Sequence, residues 1–208
     1  MLSAGASHHL LRVAGIAPGE RVELFDGRGG ACHAALLSVS GGRAEMGFLG
    51  VVSRPPRPTR WLLMGLTRGP AFDLVVRMST ELGVDRIQPV LLKRSVATGD
   101  RRKRWERIAQ SAAAQCGRDT VPELAAPATL EAAIATLPEG IVRRVCVPGA
   151  ATLPGVDAAA ALLLGPEGGL TDREVAAAVE AGFEPMGLGP LTLRADTAAA
   201  AGLASLLP

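Results

Sequence analysis

The chain has 208 residues, 48% of them hydrophobic and 20% charged, with a formal net charge of +2. That length allows one large domain or two small ones, and this balance excludes an intrinsically disordered chain. No signal-peptide pattern opens the sequence and no apolar run reaches the roughly 18 residues of a membrane span, so a cytoplasmic protein with no membrane partner is expected.

Residues 1–52 read as a small β domain. After His8-His9-Leu10-Leu11-Arg12-Val13, the pair Pro18-Gly19 turns the chain, and residues 21–26 alternate polar and apolar as a half-buried strand does. Residues 31–39 and 43–49 are two further strands around Gly41-Gly42, which suits a hairpin. Short strands joined by glycine turns imply a barrel or a rolled sheet. His8 and His9 have no Cys, Asp or further His near them in sequence, so they read as packing or hydrogen-bonding groups and no metal is expected. Three prolines in residues 53–58 forbid helix and sheet ladder alike, which makes this stretch a stiff linker and residues 59–208 a second domain.

In that second domain residues 60–66 read as a strand and Thr67-Arg68-Gly69-Pro70 as a turn. A helix should then bury Leu74, Val75, Met78 and Leu82 before Gly83 stops it. Residues 87–92 form the next strand. Trp105, Ile108, Ala109, Ala112, Ala113 and Cys116 recur at helical spacing, which turns the arginines between them outward. Residues 121–138 read as a surface excursion with a short alanine-rich helix, and residues 142–147 as a strand ending at Pro148-Gly149-Ala150. Strand alternating with helix argues for a parallel sheet. Cys32, Cys116 and Cys146 are odd in number and far apart, so buried thiols are expected and a disulfide framework is not.

Charge is unevenly spread. Residues 93–107 hold seven basic residues against two acidic ones, while the rest of the chain holds 15 basic and 18 acidic. Such a patch attracts phosphate backbone, although an arginine-rich helix face in contact with water gives the same count.

The most informative stretch is Leu162-Leu163-Leu164-Gly165-Pro166-Glu167-Gly168-Gly169-Leu170-Thr171-Asp172-Arg173-Glu174. Residues 160–164 are apolar without alternation, as in a strand covered on both faces, and the glycines then let the backbone come close to a ligand. Thr171 and Glu174 have the spacing of a capping box, so a helix begins there, with Val175, Ala178 and Val179 on its apolar face. Open parallel sheets bind ligands at such strand ends, though a glycine-rich turn can also be a plain connection. Residues 183–198 repeat the pattern of short strand, Gly/Pro loop and helix start, which suggests two loops around one pocket. The last helix, over about 196–207, should pack Ala199, Leu203, Leu206 and Leu207.

These residues, with Ser79-Thr80-Glu81-Leu82-Gly83-Val84-Asp85-Arg86-Ile87, Arg94-Ser95, Gln115-Cys116-Gly117-Arg118 and His8 to Val13, resemble the RsmE family of 16S ribosomal RNA (uracil-N3) methyltransferases, of the SPOUT class. The resemblance implies an α/β fold: a C-terminal SPOUT-type parallel sheet with a trefoil knot, preceded by a small N-terminal PUA-like β-barrel that binds RNA. It implies S-adenosylmethionine as cofactor, held by Leu164, Gly165, Pro166, Glu167, Gly168 and Gly169, by Pro148 and Gly149, and by Met186, Leu188, Gly189, Leu193 and Thr197. Arg194 is the catalytic or substrate-orienting candidate, with an ion pair to Asp196 or Glu167 as its structural alternative. Glu167 reads as a loop-stabilising or cofactor-facing carboxylate. Arg12, Lys93, Arg94, Arg101, Arg102 and Arg104 are the RNA-binding candidates. The implied partners are 16S rRNA, within the small ribosomal subunit, and a second copy of the chain as a homodimer. The sequence departs from the family at Met78, where a lysine is usual, at Leu191, where an arginine is frequent, and at Asp196, where glutamate is frequent. Another SPOUT enzyme acting on transfer RNA or a ribose 2′-hydroxyl, or a non-catalytic RNA-binding member of the fold, fits the residues as well.

Overall fold

The computed structural model describes residues 1–96 and 101–207, so Asp100 of the basic segment and Pro208 of the second domain lie outside the described residues. The chain forms two compact units, Met1–Pro56 and Arg57–Pro208, which divide within the proline-rich stretch.

The first unit opens with a helix, where the sequence suggested only β structure. Ser3 caps α1 (Ala4–His8) by accepting from Ala6 N at 3.2 Å, and one wider turn, His9–Val13, continues it. The helix docks by its penultimate residue, because the buried Ser7 hydroxyl accepts from Ala44 N at 3.1 Å. Strands β1 (Arg21–Phe25), β2 (Ala31–Ser40) and β3 (Arg43–Val52) pair antiparallel in the order β1-β2-β3. Irregular register at His33/Ala34 and Leu36/Ser38 bends β2 against β3. Leu10, Leu36 and Ala44 form the small core of this unit.

The second unit is a parallel sheet in the order β10-β8-β9-β4-β5-β6, with β7 also pairing β5. Its strands are β4 (Arg60–Gly65), β5 (Arg86–Leu91), β6 (Glu123–Leu124), β7 (Ala128–Thr129), β8 (Val142–Cys146), β9 (Ala160–Leu164) and β10 (Glu184–Met186). Helices α2 (Gly69–Glu81), α3 (Arg102–Cys116) and α6 (Ala195–Ser205) contribute to one core, and α4 (Leu130–Ala135) and α5 (Asp172–Glu180) to the other. Every residue of β9 is buried: Ala160, Leu162 and Leu164 enter the first core, Ala161 and Leu163 the second. Two covered faces are why this strand has no polar alternation.

Several sequence expectations need correction. Helix α2 begins at Gly69, inside the expected turn, and buries Phe72, Val75, Val76, Ser79 and Thr80; Leu74, Met78 and Leu82 are only half-buried. Phe72 meets Trp105 of α3 at 4.5 Å between ring centroids, and that contact sets which stripe faces inward. Thr80 tolerates burial because its hydroxyl donates to Val76 O at 2.7 Å. Residues 121–138 are no surface excursion: β6 and β7 extend the sheet edge, and Leu124, Leu130, Ala133 and Leu137 are buried. Cys116 is exposed, as are Val179 and Leu207.

Asp85, in the turn before β5, ties the start of the sheet together. It accepts from Arg57 at 2.5 and 3.1 Å, from Arg60 N at 2.8 Å and from Arg118 Nη2 at 3.0 Å. The Arg118 side chain is only 9% exposed, and burial pulls its pKa down despite Asp85, so it depends on this carboxylate. Arg60 reaches the other way, donating to the carbonyls of Ala158, Val156 and Leu206, which fastens the end of α6 to the sheet. Asp85→Ala should therefore cost about 3 kcal/mol, by stranding the Arg118 charge. A lower urea midpoint at unchanged slope would show it.

Candidate functional site

The carboxyl ends of three adjacent strands, β10, β8 and β9, open on one cavity of about 740 Å³. That size is within the range of small-molecule sites, about 300–1,000 Å³. Its position follows from the sheet: all three strands are parallel, so the loops that leave them emerge at the same edge.

From the loop after β9 come Leu164, Gly165, Pro166, Glu167, Gly168 and Gly169, all candidates from sequence, together with Leu170, Asp172 and Val175. From β8 and its loop come Cys146, Val147 and Pro148. From β10 and its loop come Met186, Leu188, Gly189 and Leu193, with Leu191, Thr192, Arg194, Ala195 and Ala198. Two cofactor candidates are not on this wall. Gly149 lies one residue past Pro148, and Thr197 turns its hydroxyl to Asp196 Oδ1 at 3.5 Å.

Backbone presses on backbone around this cavity. A Cβ on Gly165 would sit 2.6 Å from both Gly169 C and Leu170 N, so the loop can fold back on itself only with glycine there. A Cβ on Gly187 would overlap the Ala150 carbonyl oxygen. That apposition is stitched by Val147 N to Met186 O at 3.0 Å and Gly187 N to Ala151 O at 2.8 Å, which makes the β8 and β10 loops one surface. Between Leu188 and Arg194 no backbone amide has an acceptor among the described residues, so these donors remain for a ligand or water.

The β9 loop is fixed from outside as well. Glu167 Oε1 accepts from Arg68 N at 3.2 Å, which makes this carboxylate a tie to the start of α2. Thr171 and Glu174 form the reciprocal capping box of α5. Glu174 also accepts from Lys93 N at 2.8 Å, and Arg94 Nη1 donates to Gly168 O at 2.7 Å and Leu170 O at 3.2 Å. Burial raises the Glu174 pKa, but hydrogen bonds from Thr171 and Lys93 outweigh it and the net shift is downward. Cys146, facing the cavity from β8, has its thiol pushed up to about 12 by burial, so it is an uncharged wall group.

Arg194 is on the wall with its side chain 84% exposed, and its nearest carboxylate is Asp196 Oδ1 at 3.8 Å. Of the RNA-binding candidates only Arg94 reaches the cavity. Arg104 is paired with Asp73 at 2.7 Å, and Lys93, Arg101 and Arg102 lie outside the lining. Arg12 belongs to the first unit, beside a groove with His8, Leu11, Val39 and Gly42. Leu170, Val175 and Ala198 were missed as wall residues although the loops that carry them were recognised; helical spacing had placed Val175 on an apolar helix face. Among the described residues no cluster could hold a metal ion.

Residues 55–207 match the RNA methyltransferase domain and residues 2–46 the RNA methyltransferase PUA domain. The chain belongs to this RNA methyltransferase family. Ribosomal RNA small subunit methyltransferase E of Synechocystis sp. is 35% identical over 99% of the chain and 71% of that protein. The protein of the same name from Mycobacterium bovis is 30% identical over 95% of the chain and 82% of its own length. Among solved structures, ribosomal RNA small subunit methyltransferase E of Neisseria gonorrhoeae, bound to S-adenosyl methionine, is 32% identical with a TM-score of 0.89, covering 99% of this chain and 89% of that one. A methyltransferase of Legionella pneumophila in complex with the same molecule is 29% identical with a TM-score of 0.84, over 99% and 89% of the two chains. As in those family members, the second unit is an α/β fold on a parallel sheet.

Glu174 makes the glycine loop after β9 sensitive to acid. Its pKa is depressed in the folded state, so the stability it contributes is complete above its ordinary value near 4.5 and is lost as pH falls through the lower folded value. Thermal melts of the wild type and Glu174→Gln should differ at pH 7, and the gap should close as pH falls through the lowered folded-state pKa of Glu174.

Proposed function

We propose that this chain is an S-adenosylmethionine-dependent rRNA methyltransferase that modifies N3 of a uridine in the 16S RNA of the small ribosomal subunit. The observation that carries the reading is the cavity formed where three parallel strands end, walled by glycine loops and by a segment between Leu188 and Arg194 whose N–H groups have no acceptor among the described residues. S-adenosylmethionine fits its chemistry. Val147, Leu164, Met186 and Leu188 offer apolar surface to a flat base, and the N–H groups on either side of Pro190 between Leu188 and Arg194 offer donors to polar edges. Cross-stitching of Gly187 to Ala150 and Ala151 supports reading the two loops as part of the family's trefoil knot.

When bound, S-adenosylmethionine supplies a methyl group on a sulfonium, transferred by in-line displacement. The chain's task is alignment and exclusion of water. Uracil N3 carries a proton and lies on the pairing edge, so the base must be unpaired or turned out to enter. Loss of that proton leaves negative charge on the ring carbonyl oxygens, and the Arg194 guanidinium on the wall can hold it. Its weak tie to Asp196, at 3.8 Å, leaves it free to turn. The names of the relatives favour rRNA over transfer RNA as the substrate.

Incubating the chain with S-adenosylmethionine and small subunits from a strain lacking the modification, then mapping the RNA by mass spectrometry, should find one N3-methyluridine. Arg194→Ala should lower kcat about 100-fold with little change in cofactor affinity. A methyl on a ribose, or none from folded wild type, would refute the reading. We also propose a cytoplasmic homodimer, for which light scattering should give twice the chain's 21.3 kDa.

A further inference from the structure

Arg94 is placed differently from every other member of the basic segment. It lies in the short turn after β5, and its side chain is on the wall of the cavity and fastens the glycine loop after β9. Both hydrogens of Nη1 are spent, on Gly168 O at 2.7 Å and Leu170 O at 3.2 Å. Nε and Nη2, which form the forked edge of the guanidinium, have no acceptor among the described residues. The nearby carboxylate of Glu174 feels the charge of Arg94, but its oxygens are taken by Thr171 and by Lys93 N. The fork is the geometry that binds a phosphate through two parallel hydrogen bonds. Arg94 is exposed and its neighbour Lys93 is exposed beside it, so a strand of RNA drawn to the segment can reach that edge.

We propose that Arg94 couples RNA binding to cofactor binding: its forked edge takes a backbone phosphate of the RNA while Nη1 holds the glycine loop in its cofactor-binding shape. This rests on the methyltransferase reading and adds a positioning residue to it. A phosphate on the fork fixes the plane of the guanidinium, and with it the direction in which Nη1 grips the two carbonyls. A loop already held should bind cofactor more tightly, and linkage requires cofactor to tighten RNA by the same factor.

Poly(U) is the probe. Calorimetry on the wild type should show S-adenosylmethionine affinity rising about fivefold or more when poly(U) is present. Arg94→Ala should bind the cofactor about tenfold more weakly, lose the poly(U) effect, and lower the slope of log affinity for poly(U) against log salt by about 0.7, one phosphate contact. Arg94→Lys keeps the charge without the fork: it should retain the salt slope and still lose the coupling. Retained coupling in either variant, or an unchanged salt slope in Arg94→Ala, would overturn the proposal. Wild-type cofactor uptake indifferent to poly(U) sinks the coupling alone, whereas a folded wild type that takes up no cofactor sinks the methyltransferase reading itself.

Discussion

Direct contact of main chain with main chain is the constraint on which this site depends. Gly165 folds against Gly169 and Leu170, and Gly187 lies against the carbonyl of Ala150, at separations no Cβ would permit. Because the loops touch through their backbones, their carbonyls and amides are positioned by the sheet instead of by flexible side chains. The cavity between them is therefore a product of strand register, and its shape is as rigid as the three strands that feed it.

The side chains around the cavity act mainly as fasteners. Glu167 ties the loop to the start of α2, Glu174 ties it to Lys93, and Arg94 holds two of its carbonyls. Two of these three fasteners end on the short turn after β5, so the first part of the basic segment and the glycine loop form one hydrogen-bonded body. Charges that sequence counting groups together thus serve different ends. Arg104 is spent on Asp73, whereas Arg94 belongs to the cavity.

Much of this was legible in the residues, for physical reasons that can be named. An apolar run without alternation has one explanation, two covered faces, and β9 has them. Thr171 and Glu174 interact only through local geometry, so their spacing was enough. What failed depended on contacts distant in sequence. Helix α2 carries two candidate apolar stripes, and only the meeting of Phe72 with Trp105 selects one. Strands β6 and β7 are two residues each, too short for any period to show, and exist because β5 offers them an edge. Helix α1 is five residues long and held by Ser7 to Ala44, a partner 37 positions away. At the site, the loops were readable from their glycines, while the division of labour between Arg94 and Arg104 was not, because it depends on where Asp73 lies.

The pairing of β4 with β9 has a bearing on how the protein comes into being. Arg60 lies opposite Ala160, so one edge of the central strand waits for a partner that leaves the ribosome a hundred residues later. On the nascent chain β4 can pair early only with β5, leaving a row of bare amides and carbonyls under leucine side chains. The antiparallel strands of the first unit, neighbours in sequence, have no such delay. The parallel sheet of the second unit is thus completed only after β9 has been made, and its exposed intermediate is the stage at which aggregation competes with folding.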